Sequence, residues 1–433
     1  MGAYLSTPVT DKVSEDGVSD KFVFGASSMQ GWRKNQEDAH IATPQLPQKA
    51  DVACFGVFDG HGGAEVSRFV EKYFPGEISR ILHEEPDLGK ALERGFHRMD
   101  ELVDDERYGD EIASYKNGAA GGGGRGGARG GRGGGRGGGG RGGGGRGGGS
   151  SALVAGGAAG GEGGAGGVPE DEAIEMFKKL MLMKAQMSGA RDDAGGGRGR
   201  GRGRGAARGR GRGGALGRGL GPGGSDLQVC ELDDHRVSAG CTAVCCLVRG
   251  NEIVCANAGD SRAVLCRGGQ AVPLSFDHKP SQERERARVH AAGGFIREAG
   301  GHHRINGNLN LSRSLGDLKY KQNRALPPAE QMITAQPDII SHTIGPEDEF
   351  VIVACDGIWD VMSSQAVIDF VRPRLRQKRP VSSIAEELFD HCISDDPKQS
   401  SGLGGDNMTA MIVQLKPGAF KPSAAAAAAA KAR

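Results

Sequence analysis

The sequence predicts a mixed α+β domain interrupted by a long low-complexity insert. Three observations carry that expectation. Apolar runs of strand length, such as Val52–Phe58 and Phe350–Ala354, give way within two residues to an acid followed by glycine. Elsewhere, apolar residues recur every three or four positions, as on a helix packed along one face. Residues 118–224 hold more than half of the chain's 77 glycines and have almost nothing to bury.

The chain has 433 residues and a net charge of +1, which hides a strong asymmetry. Residues 118–224 carry 18 Lys/Arg against 7 Asp/Glu, a balance of +11, and the remainder stands at −10. An acidic body with a basic arm points to separate partners for each. Without the insert, roughly 320 residues remain, enough for one large core. The nine cysteines sit mostly inside strand-like runs and none is spaced as CxxC, so reduced, buried thiols and a cytoplasmic or nuclear location are expected. No apolar run is long enough to cross a bilayer. The opening Met-Gly-Ala-Tyr-Leu-Ser fits the myristoylation pattern at Gly2, which would give weak membrane contact.

Taken in order, residues 11–20 are polar and read as a loose lead. Phe22–Ser28 reads as a strand, and Arg33 then precedes the pair Glu37-Asp38. Two hairpin-like strands lead to Asp59, followed by helices over Ala64–Tyr73 and Leu88–Asp105. The insert consists of Gly-Gly-Arg and Arg-Gly repeats and is expected to be disordered. Inside it, Ile174, Phe177, Leu180, Met181 and Met187 suggest a short helix near 170–187. That helix could bind a partner or cap an edge of the core. Val237–Arg249, Glu252–Asn257 and a third strand through Cys266 read as an antiparallel meander with Asp260 at a tight corner. A charged helix over Ser281–Ala292 and a polar loop over Leu309–Asp317 follow. After the run ending at Cys355-Asp356-Gly357 come helices over Ser363–Arg376 and Val381–Ser394, then Asp406-Asn407 and a last strand, Ala410–Leu415. An Ala-rich tail spans 417–433.

Five acidic turns or strand ends therefore recur: Glu37-Asp38, Asp59-Gly60, Asp260, Asp356 with Asp360, and Asp406-Asn407. One such feature is turn chemistry. Five, on a chain without a His- or Cys-rich metal signature, point to hard cations held by oxygen, Mg²⁺ or Mn²⁺. Two such cations can activate a water for attack on phosphorus. Gly60 leaves its carbonyl open to a cation, His61 stands beside it with a nitrogen for proton transfer, and Arg33 supplies the planar fork suited to a phosphate. Three other features have blander readings. His302-His303 lies in a Gly-rich turn and reads as a solvated loop, and Trp359 reads as a packing residue. Arg284, Arg286 and Arg288 form either a solvated helix face or a contact for phosphopeptide.

On these residues the chain resembles the metal-dependent type 2C (PPM) protein serine/threonine phosphatases. The resemblance rests on Arg33…Glu37-Asp38, Phe55-Gly-Val-Phe-Asp-Gly-His-Gly-Gly63, Gly240-Cys-Thr-Ala243, Ala256-Asn-Ala-Gly-Asp-Ser-Arg262, Leu311-Ser-Arg-Ser-Leu-Gly-Asp317, Asp356-Gly-Ile-Trp-Asp360 and Asp406-Asn407. The start and the long insert look most like the gamma isoform, whose insert is acidic where this one is Arg-Gly-rich. The resemblance implies a four-layer αββα sandwich of two antiparallel sheets flanked by helices, with the phosphatase domain split over 21–117 and 225–416. It implies two metals, Mg²⁺ or Mn²⁺, bridged by Asp59, with Gly60 and Glu37 serving the second and Asp356 and Asp406 the first. Asp38 would support or join that set, and Asp260 with Asp360 would hold a weaker third cation. Arg33 would grip the phosphate and His61 would protonate the leaving oxygen. The implied substrates are phosphoserine and phosphothreonine proteins, met by a monomeric enzyme. Arg-Gly repeats supply charge and stacking for RNA, or serve as a solvated spacer. The rival reading is a catalytically inactive scaffold with an RNA-binding arm, which would be expected to have lost a metal carboxylate.

Overall fold

Strands that are apolar on both faces must be covered on both, and this chain stacks them in two sheets. The computed structural model describes residues 4–116, 232 and 234–420. The chain divides into Met1–Gly124 with Asp226–Arg433, and Arg125–Ser225. The second unit, the expected helix near 170–187, Gly2 and residues 421–433 lie outside the described residues.

One sheet has five strands in the order β14 (Asp338–Thr343), β8 (Glu252–Ala258), β7 (Ala243–Arg249), β4 (Val52–Phe58) and β3 (Ala39–Thr43). The other has six, in the order β1 (Val9–Val18), β2 (Phe22–Gly31), β16 (Met408–Leu415), β15 (Asp348–Ala354), β9 (Arg262–Arg267) and β10 (Gln270–Pro273). Every pairing in both sheets is antiparallel. β4 shows why its sequence is an unbroken apolar run. Ala53, Phe55 and Val57 face the second sheet, where they meet Phe22, Phe24, Val351, Val353, Met411 and Val413. Val52, Cys54 and Phe58 face the other way, onto helices. Phe55 meets Phe22 and Phe24 edge-on at 5.4 and 5.5 Å.

Helices α1 (Glu65–Glu84), α2 (Leu88–Asp104) and α3 (Gly109–Tyr115) cover the outer face of the five-stranded sheet. α4 (Glu283–Ala291) belongs to a separate segment described below. α5 (Asp356–Trp359), α6 (Ser364–Arg376) and α7 (Val381–Cys392) cover the six-stranded sheet. The result is the four-layer αββα sandwich implied by the resemblance. Small elements complete it: a three-stranded sheet of β13 (Leu315–Gly316), β6 (Gly240–Cys241) and β5 (Gly60–His61), and a hairpin of β11 (Ile296–Ala299) with β12 (His302–Ile305).

Several local expectations are corrected. Residues 11–20 are not a loose lead: most of them lie in β1, the edge of the six-stranded sheet, where polar side chains at exposed positions give no apolar signal. The meander breaks after its second strand. β9 leaves β8 and crosses to the other sheet, turning at Gly259 with φ +126°, a conformation that favours glycine. α1 does not stop at Tyr73 but runs through Pro75, because Phe74, Ile78, Ile81 and Leu82 all bury beyond it. That packing offsets an interior proline that would otherwise cost about 3 kcal/mol. His302 and His303 lie on β12 rather than in a loop. Trp359 is a packing residue as expected, 6% exposed, with its Nε1 donating to the Ala354 carbonyl.

The polar stretch Leu309–Asp317 is buried for most of its length. Ser312, Arg313, Ser314 and Asp317 are each no more than 1% exposed. Arg313 donates to Glu285 (2.6 Å) and to Asp338 (2.8 Å), and Arg288 joins from α4. This clasp fastens α4 and the 309–317 stretch to β14. Burial opposes the charge of Glu285, but Arg313 and Arg288 outweigh it and hold the carboxyl down at about 2. Breaking such a pair leaves an uncompensated buried charge, so Glu285→Ala or Arg313→Ala should each cost about 3–5 kcal/mol. Urea midpoints measured at neutral pH check this. The ionised Glu285 stabilises above its unfolded pKa of about 4.3 and loses that contribution as pH falls toward 2. The gap between wild type and Glu285→Ala should therefore narrow in acid.

Candidate active site

Strand ends from both sheets converge on one cleft of ≈ 370 Å³. β4 ends at Phe58 and delivers Asp59. β15 ends at Ala354, two residues before Asp356, and β16 begins two residues after Asp406. The turn between β8 and β9 delivers Asp260. The cleft is lined by Arg33, Glu37, Asp59, Gly60, His61, Asp260, Asp356 and Asp406, together with Thr242 and Asn407. Asp38 lies behind it at 2% exposure, accepting a hydrogen bond from Thr409 Oγ1 (2.7 Å). Asp360, next after α5, stands outside the cleft lining and is exposed. The structure thus brings together eight of the ten predicted site residues. It places Asp38 behind the cleft and Asp360 beside it.

The loop carrying Arg33 and Glu37 is held from the Asp406 side. Asn407 Nδ2 donates to the carbonyls of Gln30 (2.8 Å) and Asn35 (3.0 Å), and its Oδ1 accepts from the Glu37 amide (3.0 Å). Arg33 pairs with Asp406. Gly60 packs so closely on the Glu37 carbonyl that a Cβ would collide with it. Glycine is therefore required here.

The charge in the cleft is poorly balanced. Burial raises Asp59 well above the usual carboxylate range, and Asp356, Asp38, Asp406 and Asp260 add to it. Asp356 is raised in the same way by burial, then by Asp260, Asp406 and Asp360. Asp38 is pushed up to about 7, chiefly by burial. Burial also raises Asp406, although Arg33 pulls against it. Two basic groups answer this charge: Arg33 on Asp406, and Lys279, whose Nζ donates to Asp260 Oδ2 at 2.6 Å.

Whether these residues suit a divalent cation is decided by their chemistry. As the chain stands, no three or more His, Cys, Asp or Glu side chains among the described residues gather into a cage around one point. The donors are nonetheless all oxygen, they are crowded and under-neutralised, and buried Asp38 Oδ1 has no partner. Such a set fits a hard cation and poorly fits a soft one.

His61 stands between this cleft and a second cavity of ≈ 600 Å³ lined by His302, Arg304, Lys319 and Tyr320. Its Nε2 bonds Asp317 Oδ2 at 2.6 Å, and its Nδ1 has no partner. Burial lowers the imidazole's proton affinity, but Asp317 outweighs that and raises it. Asp317 sits in the left-handed region at φ +50° and is fixed by Ser314 Oγ (2.6 Å). Asp317 and Lys279 are the two site residues that sequence reasoning missed. Asp317 lay inside a motif without an assigned role, and nothing local marked Lys279.

A family model described as "Protein phosphatase 2C" matches residues 22–119 and 226–400. The chain belongs to the protein phosphatase 2C family. A rice protein (Oryza sativa subsp. japonica) called "Probable protein phosphatase 2C 11" is 37% identical over 417 residues, covering 96% of this chain and 91% of its own. "Protein phosphatase ppm-1.G" of Caenorhabditis elegans is 32% identical, covering 94% of this chain and 98% of its own. Among solved structures, a phosphatase from a pathogenic strain of Toxoplasma gondii superposes with a TM-score of 0.54 at 17% identity, over 94% of this chain and 96% of its own. That likeness supports the fold. This type 2C chain is a protein phosphatase, and no helix among its described residues is long and apolar enough to cross a membrane.

The hydrogen bonds of Asn407 are what keep the phosphatase's Arg33–Glu37 loop against its acidic strand ends. Asn407→Ala should therefore lower stability by about 1–3 kcal/mol through groups left unpaired. It should also reduce turnover more than a surface control of equal stability. Thermal melts paired with steady-state kinetics on one preparation check this.

Proposed function

We propose that the protein hydrolyses phosphoserine and phosphothreonine esters with water activated at a pair of Mg²⁺ or Mn²⁺ ions. The observation that carries this reading is the crowd of under-neutralised carboxylates on converging strand ends, with a guanidinium and an imidazole at its edges. Asp59, Asp356 and Asp406, the Gly60 carbonyl and Glu37 would hold the two cations, with Asp38 beneath them. When bound, the cations would supply an activated water and neutralise charge developing on the phosphoryl oxygens. Arg33 would exchange its Asp406 contact for the incoming phosphate, which its planar fork suits. As the imidazolium, His61 would donate from Nε2 to Asp317 and give its Nδ1 proton to the leaving seryl or threonyl oxygen, ending as the neutral ring. Asp317 orients that ring and favours its protonated form. The acidic set is complete, which speaks against the inactive scaffold.

What supports a gamma-like reading within the family is the long insert between the second helix and Gly240. The Arg-Gly insert would serve as an arm for RNA or as a spacer. None of the cleft residues lies in 118–224, so deleting that span should leave turnover on a short phosphopeptide nearly unchanged. If the arm binds single-stranded RNA, the same deletion should abolish a salt-sensitive shift in filter binding.

The proposed chemistry is tested by phosphopeptide hydrolysis with and without added Mg²⁺ or Mn²⁺. Undiminished activity after exhaustive chelation would overturn it. His61→Gln should lose about 10²–10⁴-fold in kcat on phosphopeptide and far less on an aryl phosphate, whose leaving oxygen needs little protonation. Asp317→Asn should move in the same direction by a smaller factor, with KM little changed.

A further inference from the structure

Among the described residues Lys279 makes no hydrogen bond or ion pair with those proposed to hold the catalytic pair, yet it is built into the same acidic site. The chain positions it by a set of backbone locks. The His278 amide donates to the Gly259 carbonyl (2.8 Å), and the Gly259 amide donates to His278 Nδ1 (3.3 Å). Asn257 Nδ2 donates to the carbonyls of Gly259 (3.1 Å) and Phe276 (2.8 Å). The 276–279 segment is thereby fixed to the turn that carries Asp260. Lys279 Nζ then lies 2.6 Å from Asp260 Oδ2, where the Asp260 side chain is 3% exposed and that of Lys279 35%. Asp356 and Asp360 both act electrostatically on the same ammonium. No hydrogen bond or ion pair among the described residues occupies the side chains of Asp356 and Asp360 themselves.

We propose that Lys279 is a built-in counter-cation at the Asp260–Asp360 subsite, and that a third divalent ion binds there only by displacing its ammonium. This rests on the two-metal reading above. Asp260 is nearly buried, so it needs a positive partner at all times, and the ammonium provides one when no ion is present. A divalent ion entering on Asp260 meets a like charge a few Å away and must push it out toward solvent. The half-buried Lys279 side chain has a route outward, because its stem is flexible and part of the side chain is already exposed. The third ion is therefore weak because of competition within the protein, whereas the two ions centred on Asp59 meet this competitor only through its longer-range field at Asp356.

The test counts bound Mn²⁺ by equilibrium dialysis on the full chain, with free Mn²⁺ read by its paramagnetic resonance signal. Wild type should bind two equivalents and a weaker third. Lys279→Gln should tighten the third by at least about tenfold, the scale expected when one positive charge leaves the vicinity of a divalent ion, and change the first two by a clearly smaller factor. Lys279→Arg should keep the third weak. Asp260→Asn should abolish it in the Lys279→Gln background, which assigns the gained site. Superimposable isotherms for wild type and Lys279→Gln would overturn the proposal. A failure of wild type to bind two equivalents would instead overturn the two-metal reading. A measurement on wild type alone guards against a poorly folded variant. Acylation of Lys279 by an amine reagent, followed by mass spectrometry, should rise over the Mn²⁺ range that fills the third site. A third equivalent that binds with no rise at Lys279 would also overturn the proposal.

Discussion

Repulsion among buried carboxylates is the constraint on which this molecule depends. Asp38, Asp59, Asp260, Asp356 and Asp406 come from both sheets, and burial and their neighbours push four of them up together. A fold does not gather such groups for its own stability, since Asp59 and Asp356 are taken from water with no ion-pair partner of their own among the described residues. The sandwich tolerates them because the strands that deliver them are buried on both faces and cannot withdraw. Phe55, Val57, Val351 and Val353 hold β4 and β15 in the inter-sheet core. The acids sit just beyond the ends of those strands. The apolar packing thus opposes the electrostatics, and a cation is the natural relief.

The basic groups follow the same logic. Arg33 and Lys279 each neutralise one carboxylate at the margin, and neither touches Asp59 at the centre. Both side chains keep part of their surface in water, so they can yield their partners at modest cost. Arg313, by contrast, is sealed at 2% side-chain exposure against Glu285 at 1% and is committed to structure. Arginine and acid occur in both places. Burial of the pair separates the clasp from the working site.

Much of this was legible in the sequence, for identifiable reasons. An apolar run interrupted by Asp-Gly announces itself, so Asp59 and Asp356 could be named from local pattern alone. Asp406 needed the sum of several such signals. The layer arrangement was not readable from periodicity. β9 and β8 are consecutive in sequence yet belong to different sheets, and only the family resemblance supplied the sandwich. β1 was missed because an edge strand with polar outward positions has no apolar alternation to find. Its register with β2 is set by backbone pairing, which leaves no mark on composition.

The residues missed at the site share a single property. Asp317 and Lys279 act through a partner far away in sequence: His61 lies 256 positions from Asp317, and Asp260 lies 19 from Lys279. A one-dimensional reading detects groups whose neighbours in the chain explain them, as Gly60 explains Asp59. It does not detect groups whose role is to hold the charge or orientation of something brought near only by folding. Ser314 fixes Asp317, Asp317 fixes His61, and His278 fixes the turn beside Lys279. Each link is a short polar contact between segments that packing has already positioned. The chemistry at the cleft is therefore specified twice: by strand ends that carry the acids, and by a second set of side chains that fix the imidazole and the ammonium against them. The first set is written locally. The second exists only once both sheets have closed on each other.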